Sequence, residues 1–246
     1  MAGHHRRKTP QRTWHEFPQL PPRPNPDTGE PLPPHAPGYS GPDHPGNNPR
    51  LAGPMFGPPE PPPGMGPCLA WHRDDITGNI RRYIVALAIL ALGSSVLSLL
   101  RGDTFGDALT YWPVWIVIVV FAYLMSDPLT FKTMSAGADW LQWGTRKRWY
   151  HRTPRAGHVK FYDLVSITAS GSGITIYLRL EDTEGNVLYR MPHALQQNRH
   201  IWDLLYNGIL HSVANGAEID NLAIKALRLD ETQALQLRQQ ISTTDD

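Results

Sequence analysis

Arg146, Lys147 and Arg148 follow one another directly, with Trp143 before them and Trp149 and Tyr150 after. Cations interleaved with aromatic rings suit a layer of anionic lipid headgroups. Each Lys or Arg near such a surface is worth about 1 kcal/mol, while amphipathic rings settle where polar meets apolar. Arg146, Lys147, Arg148 and Trp149 are therefore the candidate headgroup contacts. The same cations would equally serve as a topogenic signal beside an ordinary strand face.

Other combinations of reactive residue types do not reach chemistry. His193, His200, Asn207 and His211 fall on one side of a helix at spacings of seven, seven and four, but His193 and His200 are two turns apart and cannot share one ion. A solvated polar face is expected there. Gly171-Ser172-Gly173 lacks the lysine of a phosphate loop and leads into a strand, so it reads as a hairpin turn. Asp163, Glu181, Asp182 and Glu184 suggest paired carboxylates, but the last three sit at a turn and read as solvated. Cys68 is the only cysteine, which excludes an intrachain disulfide and a redox pair. The expectation is no catalytic, cofactor-binding or metal-binding residue, no cofactor, and no enzyme.

Two apolar segments must position whatever the chain does. Tyr83 to Leu100 carries no charge and as a helix covers roughly 27 Å, close to the hydrocarbon thickness of a bilayer; Leu109 to Met125 is nearly as long and also uncharged. They read as a transmembrane hairpin, with Tyr83, Tyr111, Trp112 and Trp115 at the interfaces and Pro113 in the first turn of the second helix. Arg73, Arg81 and Arg82 precede the first span and Lys132, Arg146, Lys147, Arg148, Arg152, Arg155 and Lys160 follow the second, whereas the loop between carries Arg101 against Asp103 and Asp107. The positive-inside rule then puts both termini in the cytoplasm of a multi-pass membrane protein. Ala91, Ser94, Ser95 and Ser98 share one helix face, a candidate packing stripe for the second span or for another chain.

Beyond Pro128 the pattern becomes short alternating segments with turns, expected as strands Leu129–Ser135, Trp140–Tyr150, Val159–Ala169, Ile174–Leu180 and Asn186–Met191 in one antiparallel meander. Pro192 opens an amphipathic helix over His193–Ala214, stopped by Asn215-Gly216, and a last helix over Glu218–Gln240 divides near Asp230-Glu231. Strands closed by one helix, with Val159–Ile167, the hairpin Ile174–Met191 and the helix containing Asn198-Arg199 and Trp202–Ile209, resemble the pleckstrin-homology-like domain of bacterial membrane proteins. That resemblance implies a curved sheet capped by a helix, used as a binding platform beside a pair of transmembrane helices, and carries over no ligand residue.

The amino-terminal arm differs from all of this. Twenty of the 24 prolines lie before Cys68, with almost no apolar run, so the stretch is expected to be disordered. Leu20–Pro26 and Pro58–Pro63 suit extended polyproline II, as a spacer or as a ligand for aromatic grooves. A net charge of +1, from 23 basic and 22 acidic residues, gives no reason to expect nucleic acid. Arginine in excess of lysine, with abundant Ala, Gly and Pro, suggests a bacterial source.

The expected architecture is an α+β membrane protein: a disordered arm (1–70), a transmembrane hairpin (71–128, spans about 83–100 and 109–125), a pleckstrin-homology-like domain (129–216) and a helical tail (217–246). The expected function is a non-enzymatic scaffold or adaptor in the bacterial inner membrane, the alternative an accessory subunit of a transport or secretion assembly. Expected partners are the lipid bilayer and a protein, either another protein or a second copy.

Overall fold

The computed structural model describes residues 17–42, 58–73, 76–126, 130–147, 155–172 and 175–244. The fold is α+β, with antiparallel pairing in its sheets and several helices. Two compact units divide it, one made of Met1–His72, Met134–Trp143 and Ala156–Asp246, the other of Arg73–Thr133 and Gly144–Arg155.

The second unit is built on helix α1 (Ile76–Leu100), a single turn α2 (Asp107–Thr110) and helix α3 (Trp112–Ser126). Within α1, Gly78–Leu100 is long and apolar enough to cross a membrane by length and composition; α3 is apolar and shorter. The two helices pack on each other, and their buried positions among the described residues are Asn79, Ser95 and Ser98 on α1 and Ile118 and Ala122 on α3. Elsewhere their surfaces expose large apolar side chains such as Ile89, Leu92, Phe121 and Leu124. One continuous helix over 109–125 does not form. Tyr111 is extended (φ −88°, ψ 110°) and the helix restarts at Trp112. The cause is Pro113, which has no N–H to give the carbonyl of Leu109 and whose ring would clash with it. The indole Nε1 of Trp115 donates to that carbonyl instead, at 2.9 Å.

Among the described residues eight strands form two four-stranded sheets: β1 (Ala70–Arg73), β2 (Thr130–Ala136), β3 (Trp140–Lys147) and β4 (Arg155–Lys160) in that order, and β7 (Val187–Arg190), β6 (Thr175–Asp182), β5 (Leu164–Ser172) and β8 (Glu218–Ile219) in that order. The expected single meander is corrected on three counts. The strand expected over Val159–Ala169 breaks at Phe161–Asp163, where Ser212 Oγ donates to the Phe161 carbonyl and accepts from the Leu164 amide. Residues 170–172, expected in a turn, stay in β5, whose register with β6 runs to Ser172↔Thr175. Finally, β8 pairs with β5 in parallel, Ser166↔Glu218 and Ile167↔Ile219.

The helix expected from His193 is two: α4 (Pro192–Leu195) and α5 (Arg199–Ala214), separated by Asn198, whose side chain caps α5 by accepting from the amides of His200 and Ile201. Gly216 ends the run at φ 87°, as its type foretells. Gly208 lets α5 lie against Phe161; a Cβ there would sit 2.8 Å from the Phe161 carbonyl oxygen. The last helix is also divided, into α6 (Asn221–Leu227), a 3-10 turn (Leu229–Glu231) and α7 (Ala234–Thr244). Its residues Ala223, Leu227, Leu229, Ala234 and Leu237 belong to the same core as α5 and β5.

The described part of the arm is not disordered. Leu20 and Ala36 enter that core, and Ala70 is fully buried on β1. Composition misleads because the arm does not build a core of its own; it covers one, and its backbone groups are met by side chains of the domain.

Candidate functional site

The arm turns back on itself at Asn25–Glu30, where the Asn25 amide donates to the Glu30 carbonyl at 2.9 Å and the Asn25 side chain accepts from the Asp27 amide at 2.8 Å. This turn sets two stretches, one before it and one after, along α5.

On α5 the residues at 203, 207 and 211 recur every fourth position and share one face. His211 Nε2 meets the Pro21 carbonyl at 2.8 Å; a carbonyl can only accept, so His211 carries its proton on Nε2. Asn207 Nδ2 donates to the Pro22 carbonyl at 3.1 Å and to the Tyr162 hydroxyl at 2.9 Å. Asp203 accepts from the Ala36 amide and from His35 Nδ1, both at 2.9 Å. Next, Trp202 Nε1 donates to the Pro37 carbonyl at 3.2 Å. Before the helix, Gln196 Nε2 donates to the Gly38 carbonyl at 2.9 Å, and its oxygen accepts from the Ser40 amide and hydroxyl. Arm numbers rise as helix numbers fall, so the arm runs antiparallel to α5. Two cations seal the seam over rings: Arg23 lies 4.3 Å from the Tyr162 centroid and Arg199 lies 4.9 Å from that of Tyr39.

No family model, curated protein or solved structure matches this chain. The reading of the site therefore rests on its own geometry.

The solvated polar face expected over His193, His200, Asn207 and His211 is corrected for half its members. His193 and His200 are exposed, but Asn207 and His211 are 2% and 4% exposed and hold the arm; Asp203, at 3%, extends their stripe. The acidic group divides likewise. Asp182 is buried and organises the β6–β7 turn, accepting from the amides of Glu184 and Asn186 at 2.9 Å and from the Lys160 amide at 3.1 Å. Glu184 is exposed and pairs with Lys160, which lowers the carboxyl pKa and raises that of the ammonium. Burial raises the Asp163 carboxyl above its ordinary range, against the pull of Arg23 and Lys160. Burial also raises the Tyr162 hydroxyl, and pushes the Cys68 thiol up to about 11, which makes it a poor nucleophile. Among the described residues no group of three His, Cys, Asp or Glu is placed to hold a metal ion.

Arg146 and Lys147 lie at the end of β3, with side chains outside the described set; Arg148 and Trp149 lie outside the described residues altogether. Of the small-residue stripe, Ser94 and Ser95 donate to the Ala91 carbonyl at 2.8 and 3.0 Å, and Ser98 donates to the Ser94 carbonyl while accepting from the Ala108 amide at 3.3 Å.

Sequence reasoning passed over Arg23, His35, Gln196, Trp202 and Asp203. One signal was available: Asp203, Asn207 and His211 form an i, i+4, i+8 stripe on a helix whose other side is apolar, while Pro21-Pro22 supplies carbonyls with no competing amide protons.

Proposed function

We propose that this chain is a non-enzymatic membrane-anchored scaffold, in which α1 and α3 insert as a hairpin and the α+β unit, pleckstrin-homology-like in layout, recruits a partner at the cytoplasmic face. The observation that carries the reading is the surface of the helix pair. Beyond its small buried seam it presents large aliphatic and aromatic side chains to its surroundings, with no acid or base from Tyr83 to Leu100 or from Trp112 to Ser126. A soluble helix pair would carry a polar stripe; a lipid-facing one would not. The bilayer is thus the first partner. The cations flanking the helices favour cytoplasmic termini, with Arg146, Lys147, Arg148 and Trp149 near the headgroups. An accessory subunit would pack through Ser95 and Ser98, which are already buried, so the scaffold reading is preferred.

Alkaline carbonate extraction of membranes from cells expressing the full chain tests the anchor. The wild type should stay with the lipid. Leu92→Arg combined with Val120→Arg should release a large fraction, because an Arg near the centre of a span costs about 3 kcal/mol to insert. Release of the wild type itself would end the proposal, and a reporter after Asp246 active only outside the membrane would overturn the orientation.

A further inference from the structure

The seam between the arm and α5 has the chemistry of a receptor and its ligand. Four different side chains, His211, Asn207, Trp202 and Gln196, donate to four carbonyls of the arm, at Pro21, Pro22, Pro37 and Gly38. Three of those carbonyls belong to prolines. A proline-rich segment cannot use its nitrogens to pair its own carbonyls, so they remain free for donors from an aromatic-lined surface, and its restricted backbone loses little entropy on docking. The surface contributes the rings of Tyr162 and Trp202; Arg23 of the arm lies over Tyr162, and Arg199 of the domain lies over Tyr39 of the arm. Beyond its carbonyls the arm presents the Arg23 guanidinium, the His35–Ala36 pair at Asp203, and the Ser40 amide and hydroxyl at Gln196.

We infer that this face of α5 is a binding site for proline-rich segments, occupied in this chain by its own residues 20–40, and that a proline-rich segment in trans competes for it. The favoured trans ligand carries an arginine directly after a Pro-Pro pair, as Pro21-Pro22-Arg23 does. The arm acts as a tethered competitor: joined to the domain, it faces the site at millimolar effective concentration, so a free peptide has to overcome that advantage. This names the partner class for the scaffold reading and rests on it only there, since peptide capture reads the α5 face whether or not α1 and α3 enter a bilayer.

The test uses the full chain in detergent, with a specific protease site inserted between Asn47 and Asn48, and a fluorescent peptide of residues 17–42 as probe. Before cutting, capture should be weak. After cutting, the chain should exchange its own arm for the peptide one to one, with apparent affinity at least about tenfold higher than before. A peptide carrying Arg23→Ala and His35→Ala should compete at least about tenfold less well. Trp202→Phe, which removes one donor and keeps an aromatic side chain, should weaken capture by the cut chain several-fold. A cut chain that keeps its arm and excludes the peptide, or one that loses its arm and captures none, overturns the inference. Equal capture of the altered peptide overturns it as well.

Discussion

Pro22 and Asn207 stand 185 residues apart in the chain, and the side-chain amide of Asn207 joins them, donating to the Pro22 carbonyl at 3.1 Å and to the Tyr162 hydroxyl at 2.9 Å. One nitrogen thus ties the arm, the turn after β4 and the middle of α5 together. Asn207→Leu keeps the bulk and removes both bonds, leaving two oxygens to find other donors. The expected loss is about 1–3 kcal/mol in urea unfolding of the detergent-solubilised chain. The amides of Ala36 and Ser40, which the domain side chains accept from, should also exchange faster with solvent deuterium, because the arm opens locally before the domain unfolds.

Gly208 sits where α5 crosses Phe161. Alanine is the better helix former by about 1 kcal/mol, which alone would stabilise. Against that, the added Cβ would stand 2.2 Å from Phe161 Cδ2 and 2.8 Å from its carbonyl oxygen, which is held by Ser212 Oγ at 3.0 Å. A flexible side chain could retreat; a backbone carbonyl tied to the same helix by Ser212 cannot. Gly208→Ala is therefore expected to lower the unfolding midpoint, by a net of about 1–2 kcal/mol.

The legibility of this protein in its sequence follows the range of the interactions. Period-two segments and their turns located most strands within a few residues, because alternation and turn residues act locally. The break at Tyr111 was readable in principle from Pro113 and the orphaned Leu109 carbonyl, yet hydropathy alone ran through it. What could not be read was the arm. Its order depends on His211, Asn207 and Asp203, which lie more than 160 residues away and present as an ordinary polar stripe until a partner is laid on them. Composition measures whether a segment can bury itself, and says nothing about being buried by something else. For the same reason β1, at the end of the proline-rich stretch, went unread.

Asp220 joins β8, α6 and β5. Its side chain accepts from the Ala223 amide at 2.6 Å, capping α6, and from the Ala169 amide at 2.9 Å. Asp220→Ala should cost about 1–2 kcal/mol, typical of losing a helix cap with a second bond attached. Hydrogen exchange would localise the effect: the amides of Ala169 and Ala223 should lose protection, while those in the middle of β6 keep theirs.

Two carboxylates near the β6–β7 turn should respond to pH in opposite directions. Glu184 is lowered by its contact with Lys160, so its contribution is present above its ordinary pKa and is lost as pH falls through the lowered value. Asp163 is raised, chiefly by burial, so the folded state is favoured while this group is protonated, and that benefit is lost as pH rises through the raised value. At neutral pH, Glu184→Gln should be slightly less stable than wild type, by at most about 1 kcal/mol because both partners are solvent-accessible. Asp163→Asn should be more stable there, since the amide is never ionised. Urea midpoints measured from about pH 3 to 7 should bring both variants back toward wild type at the acid end, one from below and one from above. If Asp163→Asn were instead destabilising at neutral pH, the attraction of Arg23 and Lys160 would outweigh the desolvation of the carboxylate, and the sign of its shift would be reversed.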